Sequence, residues 1–462
     1  MIPAIRQLDQ FVYGKAPVPV TCRNGLVIGG GTVVPELNFT LPPMDINQDT
    51  WLDVRAHYTE MIHGVIERAV ELESPSLLVE FETLPPMTII PAWGLEITRL
   101  LADHLQNAQD RHGIKTALRL TPNDIREFER PPLMRRGQYW DAMQEFFDAG
   151  AEAGADLLSI ESTGGKELCD EALVNADLKM VVFALGVLGC RDMRFLWQRM
   201  VQACAGTPML PAGDSACGFA NTAMVLADKK MIPRLFAALV RVATVPRALQ
   251  AFEMGAVGPS KDCAYEGPYL KALKGVPISM EGKSAACAHF SPVGNISAAV
   301  CDCWSNESVQ NVQLLSGKAP VVSVEQLIYD CRLMNVASAS SHEDALRLRD
   351  WLVASDAALD PQAYVLRPDV VLRICEKLAP IADPYQQTRM AVAVALDEIR
   401  NGVAAGAVKL PEREKAWVDM MEMALEDIPE SEDQFIADMI PLVDPEKCDL
   451  EEYGINVPSI AR

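Results

Sequence analysis

The sequence has 462 residues, of which 49% are hydrophobic and 23% are charged, as in soluble globular proteins. No segment reaches the roughly 18 uninterrupted apolar residues of a membrane span, and the first residues lack the features of a secretory signal. We therefore expect a cytoplasmic protein without a membrane association. The net charge of −22 argues against a nucleic-acid partner, because an acidic surface repels phosphate backbones.

The predicted elements alternate along most of the chain. The first 50 residues are rich in proline and glycine, and we predict an irregular arm with short strands. A helix is predicted at about 50–73, where apolar residues recur at helical spacing, and a short buried strand follows at 76–81. Further helices are predicted at about 93–111, 139–153, 176–205 and 221–254, and further strands at 115–120, 156–161, 208–213 and 276–280. From about residue 323 the pattern is mainly helical.

Alternating helices and short apolar strands indicate a parallel sheet with crossover helices. Polar residues follow the ends of successive strands, namely Glu80, Glu82, Arg119, Asp124, Glu161 and Asp214. This spread over several strands favours a β/α barrel over a doubly wound sheet, whose ligands collect at one switch point. We predict a (β/α)8 TIM-type barrel with an N-terminal irregular arm packed on it and a C-terminal helical extension, at 51–330, 1–50 and 331–462 respectively.

The cysteines are the first candidates for a metal site. Twelve occur, without a CxxC pair, which is too few for a disulfide scaffold at this length. Cys217 and Cys263 each precede a helix-like stretch, and Glu161 ends a strand-like run. Two thiolates and a carboxylate form a zinc ligand set that leaves one coordination position open. Spacing alone leaves open that both cysteines are buried packing residues, and the lone pair Cys301 and Cys303 is too weak a zinc signal to adopt.

Several longer strings resemble the methanol:corrinoid methyltransferase family, and the resemblance runs nearly end to end. The strings that surround the three candidate ligands are 159–167 (SIESTGGKE), 212–217 (AGDSAC) with 220–224 (ANTAM), and 258–266 (GPSKDCAYE). The others are 34–38 (VPELN), 124–127 (DIRE), 280–284 (MEGKS) with 287–289 (CAH), 301–308 (CDCWSNES), 329–335 (YDCRLMN) and 452–454 (EYG).

The resemblance implies a zinc-dependent β/α barrel that transfers a methyl group to a separate corrinoid protein. Carried over by position, the zinc ligands are Glu161, Cys217 and Cys263. The zinc would make the methyl-bearing oxygen a better leaving group while Co(I) of the corrinoid takes the methyl group. The chain has no cobalt-ligating DxHxxG string, so we expect the corrinoid, a cobalamin-type cofactor, to arrive on that partner. Family members often form a homodimer of the catalytic subunit within a hetero-oligomer.

An additional acid would help the oxygen to leave, because two thiolates and a carboxylate temper the acidity of zinc. We take Asp214 and Glu80 as the leading catalytic candidates. The other candidates are Glu82, Asp124, Asp262 and Glu281. Each of these acids has an equally plausible role in supporting the ligands or in a salt bridge. We expect Lys261 and Lys283 to be structural cations that balance them.

The identity of the methyl donor depends on the substrate side of the barrel. The stretch 81–86 (FETLPP) is more apolar than in the methanol enzymes of this family, and Leu120 stands where the family pattern has a histidine. We expect both to face the substrate and to shift preference toward apolar or larger donors. Methanol is the leading small-molecule donor. The alternatives are an O-demethylase of methoxylated aromatic compounds, whose pocket would use Phe39, Phe81, Trp93 and Trp304, and a noncatalytic scaffold for the corrinoid protein.

Overall fold

The structure is a computed structural model that describes residues 1–261, 263, 265–282, 293–310 and 312–457. Within them the strands are β1 (Lys15–Thr21), β2 (Val27–Gly30), β3 (Val34–Thr40), β4 (Ser76–Glu82), β5 (Lys115–Thr121), β6 (Leu157–Ile160), β7 (Leu210–Asp214), β8 (Ser279–Glu281), β9 (Cys303–Val309), β10 (Gln313–Leu314) and β11 (Gly317–Lys318). Asp262, Lys283, Cys287 and His289 lie outside the described residues.

The α-helices of this part of the chain are α1 (Trp51–Glu71), α2 (Pro85–Ile89), α3 (Pro91–His112), α4 (Gln138–Gly150), α5 (Lys166–Asn175), α6 (Leu178–Val182), α7 (Cys190–Cys204), α8 (Cys217–Asp228), α9 (Arg234–Glu253), α10 (Gly267–Lys274), α11 (Gly294–Ala298), α12 (Ala319–Ser340), α13 (His342–Asp356), α14 (Pro361–Tyr364), α15 (Pro368–Leu378), α16 (Pro384–Ala404), α17 (Ala416–Glu426) and α18 (Glu432–Met439). A π-helical segment, Phe183–Gly189, joins α6 to α7. Short 3-10 helices lie at Leu8–Gln10, Ile125–Phe128, Glu412–Glu414, Ile440–Leu442 and Leu450–Tyr453.

Seven strands form one parallel sheet, in the order β7-β6-β5-β4-β3-β9-β8. The segment 257–260 lies between the two edge strands. Its first two amides donate to carbonyls of β7 at 2.8 and 2.9 Å, and Ser260 exchanges backbone hydrogen bonds with Pro277 and Ser279 at 3.2 and 3.3 Å. This segment closes the ring. The TIM-type barrel predicted from the sequence is therefore confirmed, with an irregular strand in one of its eight positions.

The N-terminal arm differs from the expectation in one respect. Its β1–β2 hairpin closes the amino end of the barrel with Val20, Cys22, Leu26 and Ile28, which pack against the first inward-facing side chains of the strands. However, β3 lies within the first 50 residues and pairs with β4 and β9 inside the barrel sheet. The sequence pattern does not indicate a barrel strand here, because Pro35 and Asn38 are poor strand formers. The expected boundary at residue 330 falls inside α12.

A buried ion pair crosses the barrel interior above this apolar layer. Arg119 of β5 donates from Nε to Glu36 Oε1 of β3 at 2.6 Å, and neither side chain is exposed. The same guanidinium also donates to Ser159 Oγ at 2.8 Å and to the Pro259 carbonyl at 3.0 Å. The Arg119 side chain thus links its own strand β5 to β3, to β6 and to the segment 257–260. The last two of these lead directly to the ligand candidates Glu161 and Cys263.

Helix α9 is the one helix in the described part of the chain whose length and composition would let it cross a membrane. Its apolar span is wholly buried inside the protein, which is the behaviour of a core helix. It lies between α8 on the barrel side and α16 of the C-terminal extension. The extension is helical throughout its described residues, as the sequence predicts.

We predict that Arg119→Met lowers the free energy of unfolding by about 3–5 kcal/mol, because Glu36 would keep a buried charge without a partner. The double variant Glu36→Gln/Arg119→Met should recover part of this loss, since it removes both charges. Urea-induced unfolding followed by circular dichroism measures both effects. A single variant within about 1 kcal/mol of the wild type would contradict the assignment.

Candidate metal centre

Three potential metal ligands meet at the carboxyl end of the barrel. Glu161 directly follows β6, Cys217 is the first residue of α8, and Cys263 follows the irregular segment 257–260. Their ligand atoms all lie within 4.8 Å of one another, and among the described residues they form the group that can hold a metal ion. The structure therefore brings together the three residues that the sequence nominated from separate loops.

Sulfur and oxygen contacts hold this group in place. The Cys263 thiol donates to Glu161 Oε1 at 3.0 Å, and Asn221 Nδ2 donates to Cys217 Sγ at 3.3 Å. Cys263 also lies 3.6 Å from Ser215 Oγ. The hydrogen bond with Cys263 is the largest single influence on Cys217 and favours its thiolate, but burial together with the Glu161 and Glu281 carboxylates raises the pKa of Cys217 to about 12. Burial likewise raises the pKa of Cys263.

The donor set fits zinc. Tetrahedral zinc takes sulfur at about 2.3 Å and carboxylate oxygen at about 2.0–2.2 Å, so its ligands lie about 3.5–3.8 Å apart. A group within 4.8 Å needs only small side-chain adjustments to reach that spacing. Three protein ligands also leave the fourth position for a substrate, as catalytic zinc sites require.

Lys261 is the cation of the site. It is buried, and its Nζ lies 3.0 Å from Glu80 Oε1, 3.3 Å from Glu161 Oε1 and 3.7 Å from Glu82 Oε2. Glu80 is fully buried, and its Oε1 also accepts from Thr121. Lys261 therefore lies among the carboxylates, as the sequence led us to expect, and Glu80 is engaged in holding it.

Glu82 differs from the other acids at the mouth of the barrel. Its side chain remains 30% exposed, whereas Glu80 and Glu281 are buried. Asn38 Nδ2 donates to Glu82 Oε2 at 3.1 Å. Burial and the neighbouring Glu161 carboxylate raise the pKa of Glu82 to about 8, against the opposing effect of Lys261. Glu82 is therefore a partly exposed carboxyl group beside the candidate ligands whose pKa is raised above its usual range.

Asp214 and Asp124 support the loop that follows Glu161. Asp214 accepts from the Ser162 amide at 2.9 Å and pairs with Arg247 at 2.7 Å. Asp124 accepts from the Thr163 amide at 2.9 Å and pairs with Arg126. Although burial opposes it, Arg126 holds the pKa of Asp124 below its usual range, whereas burial raises the pKa of Asp214. Both acids are committed to buried contacts and are poorly placed to donate a proton to a substrate.

Two glycines let this loop turn tightly. A Cβ on Gly164 would lie 2.4 Å from the Asp192 carboxylate, and one on Gly165 would lie 2.4 Å from the Ala184 carbonyl. Gly165 also has a positive φ of 84°, which disfavours other residues. Its amide donates to the Tyr453 hydroxyl at 3.0 Å. The C-terminal extension thus contacts the loop that carries Glu161.

The expectation that Phe81 and Leu120 face the substrate is wrong. Strand side chains alternate between faces, and the inward positions here are taken by Glu80, Glu82 and Thr121. Phe81 packs edge-on against Tyr58 of α1 at 5.2 Å between ring centroids. Leu120 lies under Gly150 of α4. Both side chains are fully buried in the layer between barrel and helices.

The other aromatic candidates also pack away from the barrel axis. Phe39 contacts Tyr58 of α1, and Trp93 stacks on Trp51 at 5.0 Å between ring centroids. Trp304 Nε1 donates to Asp330 of α12 at 3.1 Å. The four aromatic residues proposed for a substrate pocket are therefore packing residues of the outer layer.

Sequence reasoning missed Arg247, Asn221 and Tyr453. Arg247 is a cation in the middle of a mostly apolar helix, and that contrast was the one signal in the sequence that could have found it. Asn221 lies one helical turn after Cys217, so a search for side chains at helical spacing would have found it. Tyr453 is more than 280 residues from its partner Gly165, and local pattern carries no information about that contact.

The comparisons with known proteins identify the family of this chain. The family model described as the methanol-cobalamin methyltransferase B subunit matches residues 3–454. A methanol--corrinoid protein co-methyltransferase from Methanosarcina barkeri (strain Fusaro / DSM 804) is 36% identical over 442 residues, which cover 95% of this chain and 94% of that protein.

A solved structure shows the same fold over its full length. In the crystal structure of the methanol:cobalamin methyltransferase complex from Methanosarcina barkeri, the matching chain is 35% identical and superposes with a TM-score of 0.93. The match covers 98% of this chain and 99% of that one. The chain belongs to the methanol-cobalamin methyltransferase B subunit family.

Proposed function

We propose that this protein transfers the methyl group of methanol to Co(I) of a separate corrinoid protein, using zinc held by Glu161, Cys217 and Cys263. The observation that carries this proposal is the convergence of these three side chains at the carboxyl end of the barrel in a member of this family. Active sites of β/α barrels lie at that end.

The chemistry requires an oxygen that leaves well. When bound, zinc supplies Lewis-acid stabilisation of the charge that develops on the methanol oxygen. The methyl group moves to Co(I), the C–O bond breaks, and the departing hydroxide takes up one proton to become water. The protein must therefore hold a proton near that oxygen and limit competing water.

We assign the proton to Glu82. Its pKa lies above the usual range of a carboxyl group, and its side chain is partly exposed at the mouth of the barrel, so a small substrate can approach it. Glu80, which the sequence favoured, instead anchors Lys261, and Lys261 in turn holds Glu161. Asp214 acts on the Glu161 loop through the Ser162 amide. Glu80 and Asp214 are thus positioning residues in this proposal.

The aryl O-demethylase alternative is less well supported. A methoxybenzoate site needs a broad apolar pocket with aromatic walls. Phe39, Phe81 and Trp304 pack between the barrel and its helices, and Trp93 of α3 stacks on Trp51 of α1. The inward side chains of β4 and β5 at this end of the barrel are acids and a threonine. The noncatalytic scaffold alternative does not explain the cluster of Glu161, Cys217 and Cys263, because a docking surface does not need three converging metal ligands.

The partner in this proposal is a cognate corrinoid protein, supported by the solved complex of the relative. We further propose a homodimer of this chain within the hetero-oligomer. A cytoplasmic location fits the eleven cysteines in the described part of the chain, since all of them are free thiols.

The zinc ligands can be tested one at a time. We predict about one zinc per chain in the wild type, and a loss of most of it in Cys217→Ala, Cys263→Ala and Glu161→Gln, because two ligands do not retain zinc tightly. Metal analysis after dialysis measures the content. Cys331→Ala is the matched control, since Cys331 is as buried as Cys263 but lies in α12. Full zinc content in Cys217→Ala would contradict the site.

The acid is tested by its pH dependence. Glu82 donates only when protonated, so methyl transfer should fall as the pH rises through its pKa, which is about 8 and lower still with zinc bound. Glu82→Gln should lose this alkaline limb and react about 100-fold more slowly, with unchanged zinc content. Glu307→Gln, which removes a nearby carboxylate, should keep the limb. An unchanged profile in Glu82→Gln would assign the proton to another group.

The methyl donor is tested with the reduced corrinoid protein. We expect methanol to convert Co(I) to methyl-Co(III), followed by absorbance, and methoxybenzoates to give no conversion above the enzyme-free rate. The reason is the lack of an aromatic-lined pocket among the inward side chains described above. Conversion with methoxybenzoates but not with methanol would establish the demethylase, and no conversion with either would favour the scaffold.

A further inference from the structure

Helix α9 carries a buried cation directly behind the candidate metal centre. Arg247 is fully buried in a helix whose other residues in that turn are almost all apolar. Its neighbour Gly189, at the end of the π-helical segment, leaves the room that its side chain needs, because a Cβ there would lie 3.0 Å from Arg247 Cδ. The surrounding structure is therefore shaped to admit this arginine.

The guanidinium of Arg247 reaches two of the three ligand loops. Nη1 pairs with Asp214 Oδ2 at 2.7 Å, and Nη2 donates to the Ser162 carbonyl at 2.7 Å and to Ser162 Oγ at 2.6 Å. Asp214 in turn accepts a hydrogen bond from the Ser162 amide at 2.9 Å, so Arg247, Asp214 and Ser162 all contact one another. The guanidinium carbon also lies 4.7 Å from the ring centroid of Phe219. Ser162 follows Glu161, and Phe219 is two residues after Cys217.

We infer that Arg247 is a positioning residue that sets the separation of Glu161 from Cys217 and thereby the affinity of the site for its metal. This inference rests on the proposed metal site. Arginine suits the role because its planar fork donates to Asp214 and Ser162 at once while its face packs on an aromatic ring. A lysine would keep the charge but would supply a point donor without that geometry.

Arg247 can hold the ligand segments in place because α9 is itself anchored to the C-terminal extension. At its amino end, the Arg234 amide donates to Glu414 Oε2 at 2.8 Å. Six residues before Arg247, Arg241 donates to Gln362 Oε1 at 3.0 Å. The C-terminal extension therefore fixes the helix, and the helix fixes the ligand loops. Contacts of this kind behind metal ligands typically change metal affinity by 10–100-fold when they are removed.

The test is metal affinity in Arg247→Lys, measured with Zn²⁺ by competition against a chromophoric chelator. We expect affinity about 10–100-fold below the wild type. Substitution with Co²⁺ should also give a shifted or weakened thiolate-to-cobalt absorption band, because the sulfur geometry at Cys217 changes. A purely structural role of Arg247 would lower the melting temperature without moving either metal readout.

Two further variants keep the result decisive. Phe219→Leu removes the ring under the guanidinium and should weaken metal binding in the same direction by a smaller factor, and it decides the matter if Arg247→Lys does not fold. Arg349→Lys is the matched control, because Arg349 is also buried but binds backbone carbonyls of the N-terminal segment. We expect it to lower stability and to bind Zn²⁺ as the wild type does.

The outcomes separate this inference from the proposed function. Wild-type affinity and an unchanged cobalt spectrum in the folded variants of Arg247 and Phe219 would overturn the positioning role while leaving the metal site intact. A wild-type protein that binds neither Zn²⁺ nor Co²⁺ would overturn the metal site and the positioning role together. Weakened binding in both variants with an unaffected Arg349→Lys would establish the role.

Discussion

A carboxylate inside the barrel needs a cation beside it, and this requirement organises the whole site. Burial without a partner costs several kcal/mol per charge, and four buried acids in this region are matched by a buried base. Glu36 faces Arg119, Asp124 faces Arg126, Asp214 faces Arg247 and Glu80 faces Lys261. Three of these pairs join distant segments, and Arg126 also pairs with Asp192 of α7, so neutralising the charge also fixes the loops that bear the candidate ligands.

The C-terminal extension stabilises the candidate metal centre through hydrogen bonds to the segments around it. Tyr453 accepts a hydrogen bond from the loop after Glu161, and Glu414 holds the first turn of α9. Glu452 accepts from the backbone and side chain of the segment 135–136 near the same end of the barrel. The C-terminal helical extension predicted from the sequence therefore supports the ligand loops. Its acidic residues make specific contacts in addition to keeping the surface soluble.

The interior of the barrel mouth also bears on the choice of substrate. Its inward side chains are acids, a lysine and a threonine, and the large aromatic residues of the same strands pack outward against helices. Such a surface suits a small polar donor that presents an oxygen to a metal. The strand-end residues that look apolar in the sequence have no bearing on this choice, because they face the opposite side of the sheet.

The sequence by itself determined the alternation of helices and strands, the barrel class and the three ligand candidates, since short buried strands and long family strings are local features. The sequence analysis did not assign β3 to the barrel, because Pro35 is a poor strand former. It also placed Phe81 and Leu120 on the substrate side, whereas a shift of one position along a strand reverses the face on which a side chain lies. Only the tertiary structure decided which acids are held in buried ion pairs and which acid keeps a partly exposed side chain. That property depends on which base each carboxylate meets, and partners such as Asp214 with Arg247 come from distant segments whose approach is set by the fold.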